Sequence, residues 1–81
     1  MLYKVPLLLE PQPEGGFTVT SPVLPELLTE GDTVQEALAN VSDALAAVVE
    51  AYEDVGRPFP SNLQFADVTG PLWLETVVAT T

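Results

Sequence analysis

The chain has no cysteine and no histidine, and its 81 residues include only two basic ones, Lys4 and Arg57. Without cysteine there is no disulfide framework, thiolate nucleophile or sulfur-ligated metal. Without histidine the commonest general base and the commonest metal nitrogen ligand are missing, which removes most enzyme classes. Twelve acidic residues against two basic ones give a net charge of -10. A surface of that sign repels nucleic-acid phosphates and attracts basic partners. Long apolar runs are also missing. Val5-Pro6-Leu7-Leu8-Leu9 follows Lys4 but is stopped by Glu10, well short of a signal-peptide core or the roughly 20 residues needed to span a bilayer. These absences predict a cytoplasmic protein that binds neither nucleic acid nor membrane and carries no cofactor.

What is present is enough for one small domain, expected over residues 1–81. Domains of this size are only modestly stable alone, so an oligomer, with a dimer as the simplest case, or a binding partner is expected. From Leu2 to Glu10 the odd positions Tyr3, Val5, Leu7 and Leu9 are apolar, a period-two strand with one committed face. Pro6 gives no amide to a ladder and predicts an edge, an irregular pairing or a bulge at that point. Glu14-Gly15-Gly16 reads as a hairpin turn into Phe17-Thr18-Val19-Thr20, and Leu27-Leu28-Thr29 as a third short strand after a bend bracketed by Pro22 and Pro25.

Thr33 and Glu36 form a capping box, the Thr33 hydroxyl reaching the Glu36 amide and the Glu36 carboxylate returning to the Thr33 amide. The spacing of Val34, Ala37, Leu38, Val41, Leu45, Val48, Tyr52 and Val55 then predicts one apolar helical face. Tyr52 falls in its middle, as a core residue with its hydroxyl at the rim. Gly56 supplies a left-handed stop and Pro58 prevents resumption. The stretch from Gly56 to Pro71 has no clear period and needs an anchor, which Leu63 and Phe65 offer in an extended segment. Alternation from Leu72 to Ala79, apolar on both faces, predicts a last strand that is buried or paired across an interface. The expected class is α+β: a three-stranded antiparallel sheet, one long helix and one further strand.

The carboxylates are the only side chains left with chemical potential. Paired acids hydrolyse glycosides or hold magnesium, but most of these lie on turns, helix ends or the outward helical stripe, where a solvated surface is the simpler reading. Glu50, Glu53 and Asp54 crowd the helix C-terminus, where the dipole favours a cation and only Arg57 relieves them. Glu30-Gly31-Asp32 lacks the alternating ligands of a calcium loop, and Gly15-Gly16 lacks the lysine and helix of a phosphate loop.

The order Glu14-Gly15-Gly16-Phe17, Pro22-Val23-Leu24-Pro25, Thr29-Glu30-Gly31-Asp32-Thr33, Glu36-Ala37-Leu38, Ala44-Leu45 and Gly56-Arg57-Pro58-Phe59-Pro60, preceded by the strand at Tyr3, resembles the HicB-like antitoxin family. The resemblance covers Tyr3 to Pro60 and implies a partial ribonuclease H-like fold, β-β-β-α-β. It implies a noncatalytic module of a type II toxin–antitoxin system that covers the RNA-binding surface of a small basic toxin ribonuclease of the HicA type. Many members add a C-terminal DNA-binding domain, and this chain ends where that domain would begin, so operator binding is expected to need another polypeptide. Glu26 and Leu27 stand where the family often has glycine and cysteine, and no cysteine role carries over.

Partner contacts are expected from the acids Glu26, Glu50, Glu53 and Asp54, with apolar area from Leu27, Leu63 and Phe65. Two alternatives are an orphan homo-oligomeric scaffold or small-ligand domain, suggested by the apolar last segment, and a metal-dependent nuclease, suggested only by fold and acid content.

Overall fold

The structure, a computed structural model, describes residues 2–65, 69–78 and 80. Among these residues, five strands and one long helix follow one another as β1 (Leu2–Tyr3), β2 (Leu8–Pro11), β3 (Phe17–Thr20), β4 (Leu28–Gly31), α1 (Val34–Asp54), a single 3-10 turn (Ser61–Leu63) and β5 (Gln64–Phe65). β2, β3 and β4 form a three-stranded antiparallel sheet in that order, and β1 pairs antiparallel with β5 in a second, two-stranded ladder. This is the α+β arrangement expected, with the further strand placed at Gln64–Phe65.

The first expected strand is divided. Its hydrogen-bonded ladder lapses between Tyr3 and Leu8, around Pro6, which has no amide to offer. Exposure nevertheless alternates without interruption from Leu2 to Glu10, with Tyr3, Val5, Leu7 and Leu9 turned inward. The apolar alternation thus survives where the backbone pairing does not, because burial of one face needs only extended backbone. Lys4 keeps the run attached by donating its amide to the Leu63 carbonyl at 2.9 Å.

The hairpin between β2 and β3 closes through Gln12 N–H to Gly16 O at 3.0 Å and Gly15 N–H to Gln12 O at 2.9 Å. Gly15 and Gly16 have φ of +105° and +80°, a region L side chains avoid. The register aligns Leu9, Val19 and Thr29 across the sheet, then Pro11, Phe17 and Gly31 two positions on, so these share one face. Helix α1 packs on that face: Val19 is fully buried, and a Cβ on Gly31 would lie 2.3 Å from the Ala37 nitrogen and 2.6 Å from its Cα. Gly31 is therefore required by close approach of the β4 and α1 backbones, whatever its φ.

α1 starts at Thr33, whose Oγ1 accepts from the Glu36 amide at 3.1 Å. The return half of the box differs from expectation. The Glu36 carboxylate accepts from the Asp32 amide, at 3.3 Å, one residue before Thr33. The helix ends in a Schellman arrangement, with Gly56 N–H to Glu53 O at 3.1 Å and Arg57 N–H to Tyr52 O at 2.9 Å, Gly56 having φ +67°. Val55, assigned to the apolar helical face from spacing, is the C-cap residue and is 75% exposed, because the chain leaves helical geometry there.

The main core joins Leu24 and Leu27 from the proline bend, Val48 and Tyr52 from α1 and Leu63 from the 3-10 turn, with Val5, Leu7, Ala44, Leu45 and Phe59 around them. Full burial of a leucine or valine is worth about 1.5–3 kcal/mol before entropy is counted. Phe59 stands edge-on to both Tyr3 and Tyr52, each with ring centroids 5.4 Å apart. That contact ties β1 and the segment after the helix to α1, at an energy of about 0.5–1.5 kcal/mol per aromatic pair.

The last expected strand does not form among the described residues. Residues 71–78 have no secondary structure and are exposed; Ala79, its final residue, lies outside the described residues, as do 66–68. Alternation alone does not create a strand, since each ladder needs a neighbour to receive its amides.

Candidate protein-interaction surface

The face of the sheet opposite α1 carries two parallel rows set by the register. Leu8, Thr20 and Leu28 are aligned in one, Glu10, Thr18 and Glu30 in the next. Leu8 and Leu28 are 53% and 65% exposed. An apolar row bordered by two carboxylates has the layout of an interaction surface, with desolvatable area beside a charged rim. Asn40 of α1 donates its side-chain amide to the Glu30 carbonyl at 2.8 Å and so fixes β4 against the helix.

Around the edge of the sheet, Glu14, Glu30, Asp32 and Glu36 line a shallow polar cleft of about 440 Å³ between the hairpin and the start of the helix. The Glu36 carboxylate is engaged by the Asp32 amide. Among the described residues no cluster of three or more acidic, histidine or cysteine side chains is placed to hold a metal ion, and no helix is long and apolar enough to cross a membrane.

The residues expected from sequence to meet a partner fall into three groups. Leu27 and Leu63 are core side chains, 1% and 4% exposed, so they support the surface and do not form it. Apolar contact area must come from elsewhere, and the exposed Leu8 and Leu28 supply it. Phe65 enters through its backbone, aligned with Leu2 in the β1–β5 ladder. The four acids are exposed and share one end of the molecule: Glu50, Glu53 and Asp54 lie in the last turns of α1, and Glu26 is brought to them by Tyr52.

The Tyr52 hydroxyl donates to Glu26 Oε1 at 2.6 Å, a short bond to a charged acceptor. That hydrogen bond, with burial second, pushes the Tyr52 hydroxyl above its ordinary pKa of 10.0, while the nearby Arg57 cation opposes the rise. The Arg57 guanidinium carbon lies 4.7 Å from the centre of the Tyr52 ring, a cation–π placement. Arg57, expected to relieve the carboxylates of the helix end, therefore covers the ring face of Tyr52.

Sequence reasoning missed the Leu8–Leu28 row and the role of Phe59. Register is what exposes the former, since Leu8 and Leu28 lie far apart in the chain and meet only through β3. Its signal in the sequence is the even-numbered Leu8, an apolar residue on the face opposite the odd positions. Phe59 lies in an aperiodic stretch where no face is defined.

No family model matches the chain. It is 42% identical over 69 residues to antitoxin HicB 1 of Photorhabdus laumondii, covering 80% of this chain and 44% of that protein. It is 39% identical over 66 residues to antitoxin HicB of Escherichia coli K12, covering 79% of this chain and 48% of that protein. The chain thus spans about half the length of these curated relatives. A UPF0150 protein of Synechocystis sp. is 30% identical over 59 residues, 73% of this chain and 75% of the relative. The aligned lengths, together with the sheet–helix body they encode, establish that the chain belongs to the HicB-like antitoxin family, with UPF0150 proteins among its relatives.

Proposed function

We propose that the protein is a noncatalytic, cytoplasmic antitoxin module that neutralises a small basic toxin ribonuclease of the HicA type. The observation that carries this reading is the open sheet face, where exposed Leu8 and Leu28 are flanked by Glu10 and Glu30 in a chain of net charge -10. A ribonuclease must present cationic side chains to RNA phosphates. Carboxylates laid over the same side chains compete with RNA, steer the encounter and hold the register, while the leucine row supplies desolvated area. Glu26, Glu50, Glu53 and Asp54 add a second acidic region at the end of α1. The same charge opposes direct operator binding by these residues.

Coexpression with the product of the neighbouring reading frame, followed by copurification and a growth assay, tests the proposal. A stable complex with a small basic protein and relief of its toxicity are expected. Glu10→Lys with Glu30→Lys is expected to weaken that complex by at least about tenfold, chiefly through slower association that depends on salt. Absence of both complex and protection would reject the reading. The orphan scaffold remains the second reading, favoured by the exposed apolar side chains of residues 72–78.

A further inference from the structure

A sheet recruits another protein in two ways, by adding a strand at its edge or by packing side chains on its face. The bond from Gln12 N–H to Gly16 O sets the phase of the β2–β3 ladder. Bonded pairs recur at every second residue of an antiparallel ladder, so Glu10–Thr18 and Leu8–Thr20 are bonded pairs, and Leu9 and Pro11 turn their backbone groups to the outer edge of β2. Pro11 has no amide hydrogen, which leaves Leu9 as the one outward donor within Leu8–Pro11. On the other side of β3 the phase reverses, so Leu28 and Glu30 point to the outer edge of β4. There the Glu30 carbonyl is already taken by the Asn40 side chain at 2.8 Å. Each of these short strands offers two residues to a newcomer, and each has lost one bonding group. Both edges are thus blunted against strand addition, and the face is what remains.

We infer, resting on the antitoxin reading of this face, that its occupant is a basic amphipathic α-helix supplied by the toxin and laid across β2, β3 and β4. Relief and charge both point to a helix. Thr20 is half-buried between the exposed Leu8 and Leu28, and Thr18 is half-buried between the exposed Glu10 and Glu30. Each row is therefore a shallow trough with walls two strand spacings apart, about 9.6 Å, and the rows lie about 6.8 Å from one another. A helix rises about 10.5 Å from residue i to residue i+7. Apolar side chains at i and i+7 lie against the two leucines, while the one at i+3 or i+4 drops over Thr20. A lysine or arginine on the adjoining flank reaches the Thr18 trough, about one strand spacing, 4.8 Å, from the strand on either side that carries a glutamate. A neutral or acidic flank would leave those carboxylates facing apolar surface or like charge. A helix also satisfies its own backbone groups and asks nothing of the blunted edges.

The probe is a synthetic helical peptide of about four turns, with leucines at i, i+3 and i+7 and lysines along one flank, titrated into the full chain and followed by NMR. A control peptide of the same composition, with leucine and lysine alternating, favours a strand. The helical peptide is expected to shift the resonances of Leu8, Thr20 and Leu28, while the outward amides of Leu9 and Glu30 keep the hydrogen-exchange rates of the free chain. Thr20→Gln, which fills the trough without changing charge, is expected to weaken binding at least about tenfold. Glu10→Gln with Glu30→Gln is expected to weaken it to a similar degree and to reduce its salt dependence. Equal or tighter binding of the alternating peptide overturns the inference, as does slowed exchange at Leu9 or Glu30, or helix binding indifferent to Thr20→Gln. A toxin that copurifies with a chain to which the helical peptide does not bind rejects the helix and leaves the antitoxin reading. A peptide bound at Thr20 with no toxin captured rejects that reading and leaves the helix-binding face standing.

Discussion

The body from Leu8 to Asp54 and the segment from Pro71 to Val78 use similar apolar alphabets and reach opposite outcomes. In the body, Val19, Leu24, Leu27 and Ala37 are buried almost completely. In the segment, Leu72, Trp73, Leu74, Val77 and Val78 are all exposed. Both regions alternate, so alternation is not the difference. Each body strand has a hydrogen-bonding neighbour within a short loop and a helix set over the face it offers, whereas residues 71–78 have neither among the described residues. Periodicity thus specifies which side chains belong on one face, and chain connectivity specifies whether anything covers that face.

If the body is held by its internal contacts and the segment is not, substitutions in the two regions must differ in kind. The largest effect is expected for Gly31→Ala, where the added carbon meets the Ala37 backbone and cannot be relieved by a side-chain rotation. A loss of about 3 kcal/mol or more is expected in urea unfolding, at the upper end of overpacking costs. Next comes Tyr52. Because its folded pKa is raised, protonated Tyr52 stabilises the fold fully below about pH 10, and that contribution is lost as pH rises through the higher folded value. Tyr52→Phe is expected to lower stability near neutral pH and to flatten the alkaline limb of the stability–pH curve. An unchanged alkaline limb would separate the Glu26 bond from stability. Thr33→Ala removes the cap of α1 and is expected to cost about 1 kcal/mol, read as a lower midpoint without a change in urea slope. The smallest effect sharpens the comparison most: Trp73→Ser is expected to shift monomer stability by less than about 0.5 kcal/mol, and a larger loss would place Trp73 in the body's own core.

Much of the architecture was legible because local chemistry and long-range packing agree. Thr33 and Glu36 announce a helix start, Gly56 its end, and Gly15-Gly16 a hairpin, each through a requirement that no distant contact needs to supply. The strand at Gln64–Phe65 could be read only as an anchor of unspecified form, since its partner is Leu2–Tyr3 at the other end of the chain. Leu72–Ala79 reads as a strand for the converse reason: it has strand composition without an assured neighbour. The candidate surface was less legible than the fold. The acids at 26, 50, 53 and 54 are exposed, as carboxylates without cations are expected to be. Leu27 and Leu63 could not be told from surface leucines by sequence alone, because the bend at Pro22–Pro25 and the 3-10 turn that bury them have no apolar period.

The end of α1 carries a consequence for how firmly the helix is held. Its end is closed by two backbone hydrogen bonds and a left-handed glycine, yet its last two turns bear Glu50, Glu53 and Asp54 and no basic residue. Geometry and electrostatics oppose one another there, at a typical cost of about 0.3–1 kcal/mol for each misplaced charge. Added salt screens the opposition, and a cationic protein surface would remove it. The terminal turns are thus a frustrated element: amide exchange at Tyr52, Gly56 and Arg57 should slow as ionic strength rises, making this turn the part of the fold whose rigidity answers to the charge around it.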